Sequence, residues 1–427
     1  MSYTTTNLNE ILKETYDAAI YESFDNNVGT IKKIKRVVPT EGITSLGRVF
    51  TVNLQDNESY GSQATEGGAF PTAGALVDDR ATVNYRSQFA SFKFTGDVED
   101  LATNKTLKNA VSRIIQNTTE AFDAKQDYFF FGDGTGTLGV IDDDPSGTTL
   151  QMLNTVAASY GARNIRKGMI VNAYDVSGAA YRTGGGTTNM TVSAVNRTTD
   201  LVTVDAMPND IASDNDDVLC FAGSYNYAPQ GLAYHVANSG SWLGLTRGTT
   251  NPGLNSVVHD ASSASIDWDM VEIALVKSRN YRGDAAPKFD YMLIGAPVQH
   301  KNLRALARNS GSVQYNAQLA GNKKADLMIQ DVALGGMELH ESSNCAPSDM
   351  WGIKTEDWAI EEVIPRQLYK HNDGSVFIQS ISSSTAYGDA KEGRVYWRYN
   401  YVCKRPFRQF RLKNINFSTD ETRIGRA

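Results

Sequence analysis

DVEDLATNKTLKNAVSRIIQNTTEAFDAKQDYFFFG, from Asp97 to Gly132, decides the fold. At 3.6 residues per turn, Leu101, Leu107, Ala110, Val111, Ile114, Ile115, Thr118, Ala121, Phe122, Lys125, Tyr128 and Phe129 fall on one side. That is a stripe at i, i+3, i+4, i+7 which only Thr118 and Lys125 interrupt. Asp97 and Asp100 suit an N-cap and a first turn, and Gly132 suits a left-handed C′ position. A helix of about 35 residues runs roughly 50 Å, about three times the average length in a compact domain. The stretch predicts a rigid spine, bent near Thr103 and Asn104, on which flatter β layers are laid.

The chain just before the spine reads as two strands without a body. Gly47–Leu54 alternates, with Phe50, Val52 and Leu54 on one side. Arg80–Phe94 alternates as well: Ala81, Val83, Tyr85 and Phe89 share one parity, Phe92 and Phe94 the other. A parity switch predicts a bulge or bend near Ala90 and Ser91. Between the strands, Gln55–Asp79 holds Tyr60, Phe70 and Leu76 but no credible helix or strand. So long a stretch without structure argues for work outside the domain, and a two-stranded ribbon is barely stable alone. Both difficulties vanish if residues 47–94 form a limb that finds its partner in a sister molecule and not in its own body. The candidate inter-subunit contacts are Phe50, Val52, Tyr60, Phe70, Leu76, Tyr85, Arg86 and Phe89.

With 427 residues, 41% of them hydrophobic and 36 glycine, the chain has the apolar content for two or three globular domains. The three cysteines, Cys220, Cys345 and Cys403, are odd in number and far apart, which argues against a disulfide framework and suits a reducing compartment. The first ten residues lack the basic and apolar regions of a signal peptide, and no run approaches membrane-spanning length. The net charge of −7 hides an asymmetry. Residues 391–427 carry ten Lys or Arg against three acids, and the remainder has a net charge of −14. The basic end is either a solvated strand edge or attracts the acidic body of a next copy. Arg405 and Arg408 join the contact candidates on that account.

Outward from this centre, Asn7 to about Ile34 reads as an amphipathic helix opened by a capping box at Asn7 and Glu10. Gly134, Gly136 and Gly139 satisfy G-x-G-x-x-G, but the motif follows a helix instead of a strand, so it reads as a helix-ending turn and not a dinucleotide site. From Leu150 to about Gly223 the signal is β: Met169–Val171, Met190–Val195, Leu201–Ala206 and Val218–Ala222. From Ser265 helix and strand alternate: a helix at about 267–281, a strand at 291–294, and a helix from Pro297 to about Arg308. Leu327–Leu334 and Met337–Leu339 follow as strands, after a polar loop at 309–326. A long strand, Gly393–Lys404, puts Val395, Trp397, Tyr399, Tyr401 and Cys403 on one face; Pro406 ends its pairing and Phe407–Phe417 continues as an edge.

Catalytic signatures are lacking: no Gly-x-Ser-x-Gly, no His-Glu-x-x-His and no P-loop occurs. His340 and Cys345 alone do not make a zinc site. The acids at 142–144, 205, 210, 214, 216 and 217 fit no EF-hand spacing and read as solvated loop acids. Trp351 and Trp358 read as packing residues. The chain is read as no enzyme, with no cofactor and no metal.

The order of parts resembles the major capsid proteins of tailed bacteriophages, the Hong Kong-type fold. The residues that carry it are the two-stranded loop, Phe92-Lys-Phe-Thr-Gly-Asp-Val98 leading into the spine, and the Phe131-Gly-Asp-Gly-Thr-Gly136 turn. The resemblance implies an α+β fold: an N-terminal helical arm (1–42), an extended β-hairpin loop (43–95), a peripheral domain with the spine helix (96–147), a β insertion (148–230), an axial α/β domain (265–388) and a C-terminal strand returning to the peripheral domain (389–427). It further implies a virion protein, assembled in the bacterial host cytoplasm, whose partner is itself, as hexamers and pentamers of an icosahedral shell. That shell would enclose double-stranded DNA without sequence-specific binding. Scaffolding, portal and cement proteins are further candidate partners, and no membrane is involved. The alternatives are an encapsulin-like nanocompartment, or a tail or decoration protein. The arm begins within the first ten residues, so a separate scaffold, or none, is expected in place of a cleavable scaffolding segment. Some family members weld the extended loop to a neighbour through a lysine–asparagine isopeptide bond. Here no lysine lies between Lys35 and Lys93, so purified particles should run at monomer mass on denaturing gels; an intact ladder above it would contradict this.

Overall fold

The computed structural model describes residues 31, 33–40, 42–43, 47–55, 59–61, 72, 74–95, 105–142, 147–156, 161–186, 188–211, 217–282, 291–309, 337–370, 377–381 and 387–418. The N-terminal helix, the caps at Asp97 and Asp100, Phe70 and the strand at 327–334 lie outside the described residues.

A five-stranded sheet is the floor of the molecule. Its order is β1 (Lys35–Val37), β18 (Trp358–Leu368), β20 (Tyr387–Cys403) and β19 (Ile378–Ile381), with β4 (Arg86–Thr95) on the other side of β20. β20 runs for 17 residues, and its alternation decides what lies on each side. Val395, Trp397, Tyr399, Tyr401 and Cys403 face one core, as their spacing predicts. The spine, α1 (Lys105–Phe131), lies across that face. Its last turns are buried beyond the expected stripe: Gln126, Asp127, Phe130 and Phe131 are covered, while Ala121 is open. The helix end is wedged between two bodies, with Phe130 edge-on to Trp358 and Tyr401 and Phe129 edge-on to Phe221.

The parity switch expected at Ala90 and Ser91 is not there. β3 (Val77–Asn84) ends and β4 begins around Tyr85, and β4 then pairs with β20 without interruption from Arg86↔Tyr399 to Thr95↔Ala390. Phe92 and Phe94 therefore face the spine, and Phe89 faces the opposite side. The break belongs at Tyr85 because the chain leaves one sheet there and enters another.

Beyond the spine, the β insertion is a closed barrel. The strands β5 (Thr137–Val140), β6 (Thr149–Gln151), β7 (Ile170–Asp175), β9 (Met190–Asn196), β10 (Leu201–Val204) and β11 (Asp217–Phe221) follow the order β5-β11-β7-β9-β10-β6. The short β8 (Ala180–Tyr181) hangs on β7. An Ile141↔Met152 bridge, with Asp142 N–H donating to Gln151 O (2.9 Å) and Leu153 N–H to Val140 O (2.8 Å), joins β6 back to β5. Closure removes exposed edges, and Leu138, Leu150, Met190, Val202 and Leu219 fill the interior. Entry and exit strands are neighbours, Thr137 opposite Cys220, which is how a module inserted into a host fold is attached.

After α2 (Leu232–His235), a small hairpin, β12 (Ser241–Trp242) with β13 (Leu245–Thr246), leads to a second mixed sheet. That sheet runs β14 (Val257–Asp260), β21 (Phe410–Lys413), β17 (Met350–Ile353), β15 (Met292–Gly295), β16 (Glu338–Glu341), with α3 (Trp268–Arg282) and α4 (Pro297–Asn309) packed beside it. Helix, strand, helix, strand is the expected order. Two expectations fail here. Phe407–Phe417 does not continue the long strand as an edge, because a 3-10 turn at Pro406–Arg408 redirects the chain and β21 becomes an interior strand of the second sheet. Conversely β18 and β19, read with the axial part, pair in the first sheet with β20.

Phe130 is fully buried where the spine meets the sheet. Phe130→Ala should cost about 3–5 kcal/mol and lower the thermal midpoint by several degrees, while Tyr60→Ala, at a solvent-exposed position, should stay within about 0.5 kcal/mol of wild type in the unassembled chain.

Candidate functional site

β2 (Gly47–Gln55) pairs antiparallel with β3 from Gly47↔Asn84 out to Gln55↔Val77. The root of this limb is not free of its own body, contrary to the strict reading of residues 47–94. Ala81 and Val83 are fully buried, and Phe50, Val52 and Leu54 pack with Trp242, Leu245 and Val402. Phe50 meets the Trp242 ring edge-on, with centroids 6.3 Å apart. The β12–β13 hairpin is the seat. Its two-residue turn, Leu243-Gly244, has positive φ at both positions, 50° and 92°, the turn that matches strand twist. Leucine is uncommon in that region; here Tyr234 OH accepts from Leu243 N–H (2.8 Å) and Leu243 O accepts from Thr82 N–H (2.8 Å). The Trp242-Leu-Gly-Leu245 run, apolar in a glycine-rich turn, was the signal the sequence offered and the reading missed.

Polar groups fix the same root. Glu361, on β18 and 1% exposed, accepts from Arg48 and from Tyr85 OH (3.2 Å). Burial, then the Glu361 carboxylate, raises the Tyr85 phenol well above its ordinary range. Asn400, on β20, donates to Asn84 O (2.9 Å) and Gln230 Oε1 (3.0 Å), and its Oδ1 accepts from Gln230 N–H (2.8 Å) and Tyr401 N–H (2.9 Å). Strand approach is close enough that a Cβ at Gly47 would lie 2.3 Å from Val83 O. Of the contact candidates, Phe50, Val52 and Tyr85 therefore serve the root.

The outer half is different. Tyr60 is 93% and Leu76 55% exposed, and Val77, Asp78 and Asp79 are also open. On the far face of the main sheet Phe89 is 52% exposed, stacked on Tyr396 (4.6 Å) and edge-on to Tyr369 (6.0 Å). Arg86 lies over the exposed Tyr227 ring at 5.8 Å. These form a second apolar surface near the limb. The basic end resolves otherwise than expected: Arg408 pairs with Glu356 (3.0 Å) and Asp357 (3.4 Å), Arg405 with Asp357 (3.6 Å), Arg411 with Asp349 (2.8 Å) and Lys413 with Asp260 (3.3 Å). Those cations meet acids of their own chain.

The glycine motif turns the chain from α1 into β5, with φ of 93° at Gly134 and 78° at Gly136. Asp205 caps Thr191 N–H and Ala206 N–H, Asp210 caps Thr183 N–H and Gly184 N–H, and Asp217 is bound by Arg182. Among the described residues no group of three metal-ligating side chains comes together, and no helix is long and apolar enough to cross a membrane. Cys345 is buried and its thiol raised far above the ordinary range by that burial. Trp351 and Trp358 lie in the core. Glu361→Ala would leave Arg48 and Tyr85 without their acceptor, toward the lower end of about 3–5 kcal/mol for a broken buried pair. Amide exchange in β3 should rise at least tenfold, with the barrel strand β7 unchanged and Glu361→Gln intermediate.

No family model matches the sequence, and no curated protein does. Among solved structures the chain is similar to the capsid asymmetric unit of cyanophage A-1(L), with 11% identity over 97% of this chain and 100% of that one and a TM-score of 0.57. The holo-SrpI encapsulin complex of Synechococcus elongatus aligns at 7% identity over 97% of each chain with a TM-score of 0.45. The capsid of a native GTA particle aligns at 11% identity over 91% and 90%, with a TM-score of 0.43. The latter two scores are too low to weigh. At 11% identity the cyanophage likeness speaks for architecture alone: this chain has the α+β, Hong Kong-type fold of tailed-phage major capsid proteins.

Proposed function

We propose that this chain is a shell protein, the major capsid protein of a tailed double-stranded DNA phage. Copies close into an icosahedral head as hexamers and pentamers. The observation that carries this is the two-part limb: a root locked by Glu361 and Asn400, and an outer half that leaves Tyr60 and Leu76 open to solvent. A two-stranded ribbon is marginal in water by itself, so the outer half gains its stability by lying on a neighbouring copy. Phe70, Arg86 and Phe89 remain contact candidates on that reading, and Arg405 keeps an exposed side chain beside its acids.

In this reading residues 1–42 are an arm, 43–95 the limb and 148–230 the insertion; the spine with the first sheet, β18 and β19 included, is the peripheral part, and the second sheet, β21 included, with α3 and α4 is the axial part. Interfaces near the standard size of about 1,600 Å², repeated many times, hold the shell. DNA is enclosed without base-specific contact, and scaffold, portal and cement proteins are the further partners. The protein acts in the virion after assembly in the host cytoplasm, and no catalytic step is assigned to it.

The expressed chain should form closed particles visible by negative-stain microscopy. Replacing residues 56–76 with a two-residue turn, which the Gln55↔Val77 pairing accommodates, should leave the chain folded but unable to close shells. Shells formed equally well by that variant would overturn the reading. Nucleic acid absorbance in particles from infected cells separates a DNA-filled head from a protein-filled compartment.

A further inference from the structure

A buried polar knot lies under the limb root. His235 ends α2 and is fully enclosed. Trp242 Nε1–H donates to His235 Nδ1 (3.1 Å), so the ring proton sits on Nε2, which donates to Tyr401 O of β20 (2.9 Å). The Trp242 bond requires a neutral ring, because a protonated Nδ1 cannot accept; the Tyr401 bond survives in either form. Arg247 packs on the same turn and gives its N–H groups to three carbonyls: Leu254 O (3.2 Å), Tyr234 O (2.9 Å) and His235 O (2.7 Å).

Among the described residues, the other ionisable groups facing this knot offer no free anion. Tyr234 stands edge-on to the ring from α2, with centroids 5.1 Å apart. From β20, burial keeps the Tyr401 phenol and the Cys403 thiol in their neutral forms. Asp357, just before β18, is engaged by Arg405 and Arg408. From β18 the Trp358 ring packs edge-on, with centroids 5.5 Å apart. A second proton on Nδ1 would point at the Trp242 N–H and add a charge beside Arg247.

We propose that His235 is a proton-sensitive latch on the limb root: acid favours a state in which the 241–246 hairpin has lifted off the ring, carrying the base of the limb with it. The mechanical link is explicit. Trp242 contacts both His235 and Phe50, and Leu243 O holds Thr82 N–H of β3. Lifting one ring releases the seat of the limb.

The sign follows from the direction of the shift. Burial first, and Arg247 after it, push His235 down to about 3 from an ordinary 6.5. The closed state holds the ring neutral, while an opened one takes a proton below about pH 6.5. The latch is at full strength above that pH and weakens as pH falls from 6.5 toward 3.

Hydrogen exchange on the full-length, unassembled chain tests this, with rates corrected for the intrinsic pH dependence of exchange. Between pH 7.5 and pH 5.0 the opening constant of amides in 79–84 and 241–247 should rise about thirty-fold, with the barrel strand β7 unchanged. His235→Asn keeps an acceptor toward Trp242 and cannot titrate, so its profile should be flat. A flat wild-type profile, or an undiminished slope in H235N, would overturn the latch. If H235N does not fold, H235Q replaces it, and the wild-type profile alone still decides against the proposal when flat.

Discussion

From Val395 to Cys403 strand β20 is buried on both faces, and the molecule is arranged around that constraint. Its odd residues, from Val395 to Cys403, form the core beneath the spine. Its even residues serve the other side: Tyr396 lies under Phe89, Asn400 holds the chain at Asn84, and Val402 joins the core under the limb. Because side chains alternate with a period of two, a slip of one residue would exchange these sets. Ten unbroken pairs with β4, from Arg86 to Thr95, oppose such a slip. The strand therefore fixes spine and limb relative to each other through one backbone.

The limb divides where its burial ends. Inside, apolar packing on Trp242 and the Glu361 and Asn400 hydrogen bonds make a stiff root. Breaking such buried polar contacts is costly because an abandoned partner stays desolvated. Outside, from about Val77 outward, the described side chains other than the half-buried Ser59 are exposed. A stiff root on a rigid body with an open outer half is a lever whose direction is set by its own chain and whose tip needs another surface.

Much of the architecture was legible because long periodic patterns dominate it. The spine's helical period and β20's alternation are strong signals: β20's faces emerge as read, and the spine emerges as a helix over Lys105–Phe131 with Phe122 and Phe129 of the stripe buried. The turn at Gly134 and Gly136 was legible from its position after a helix. Three things were not. Barrel closure depends on the pairing of Ile141 with Met152, a long-range contact that no local pattern carries. The departure of Phe410–Lys413 to another sheet depends on one 3-10 turn at Pro406. The seat of the limb depends on Trp242, a single ring in a glycine-rich segment too short to show periodicity. At the candidate site, the exposed Tyr60 and Leu76 were readable as misfits, whereas Glu361, Asn400 and His235 sit in strands or helices where sequence alone marks no burial.

The central claim is that the limb is anchored on its own body at the root and on another copy at the tip. Hydrogen exchange compared between unassembled chain and closed particles tests it most directly. Amides at 47–50 and 81–84 should be protected in both states, and those at 55–60 and 76–79 only in particles. A root that exchanges freely before assembly, or a tip that stays unprotected within the shell, would contradict the account.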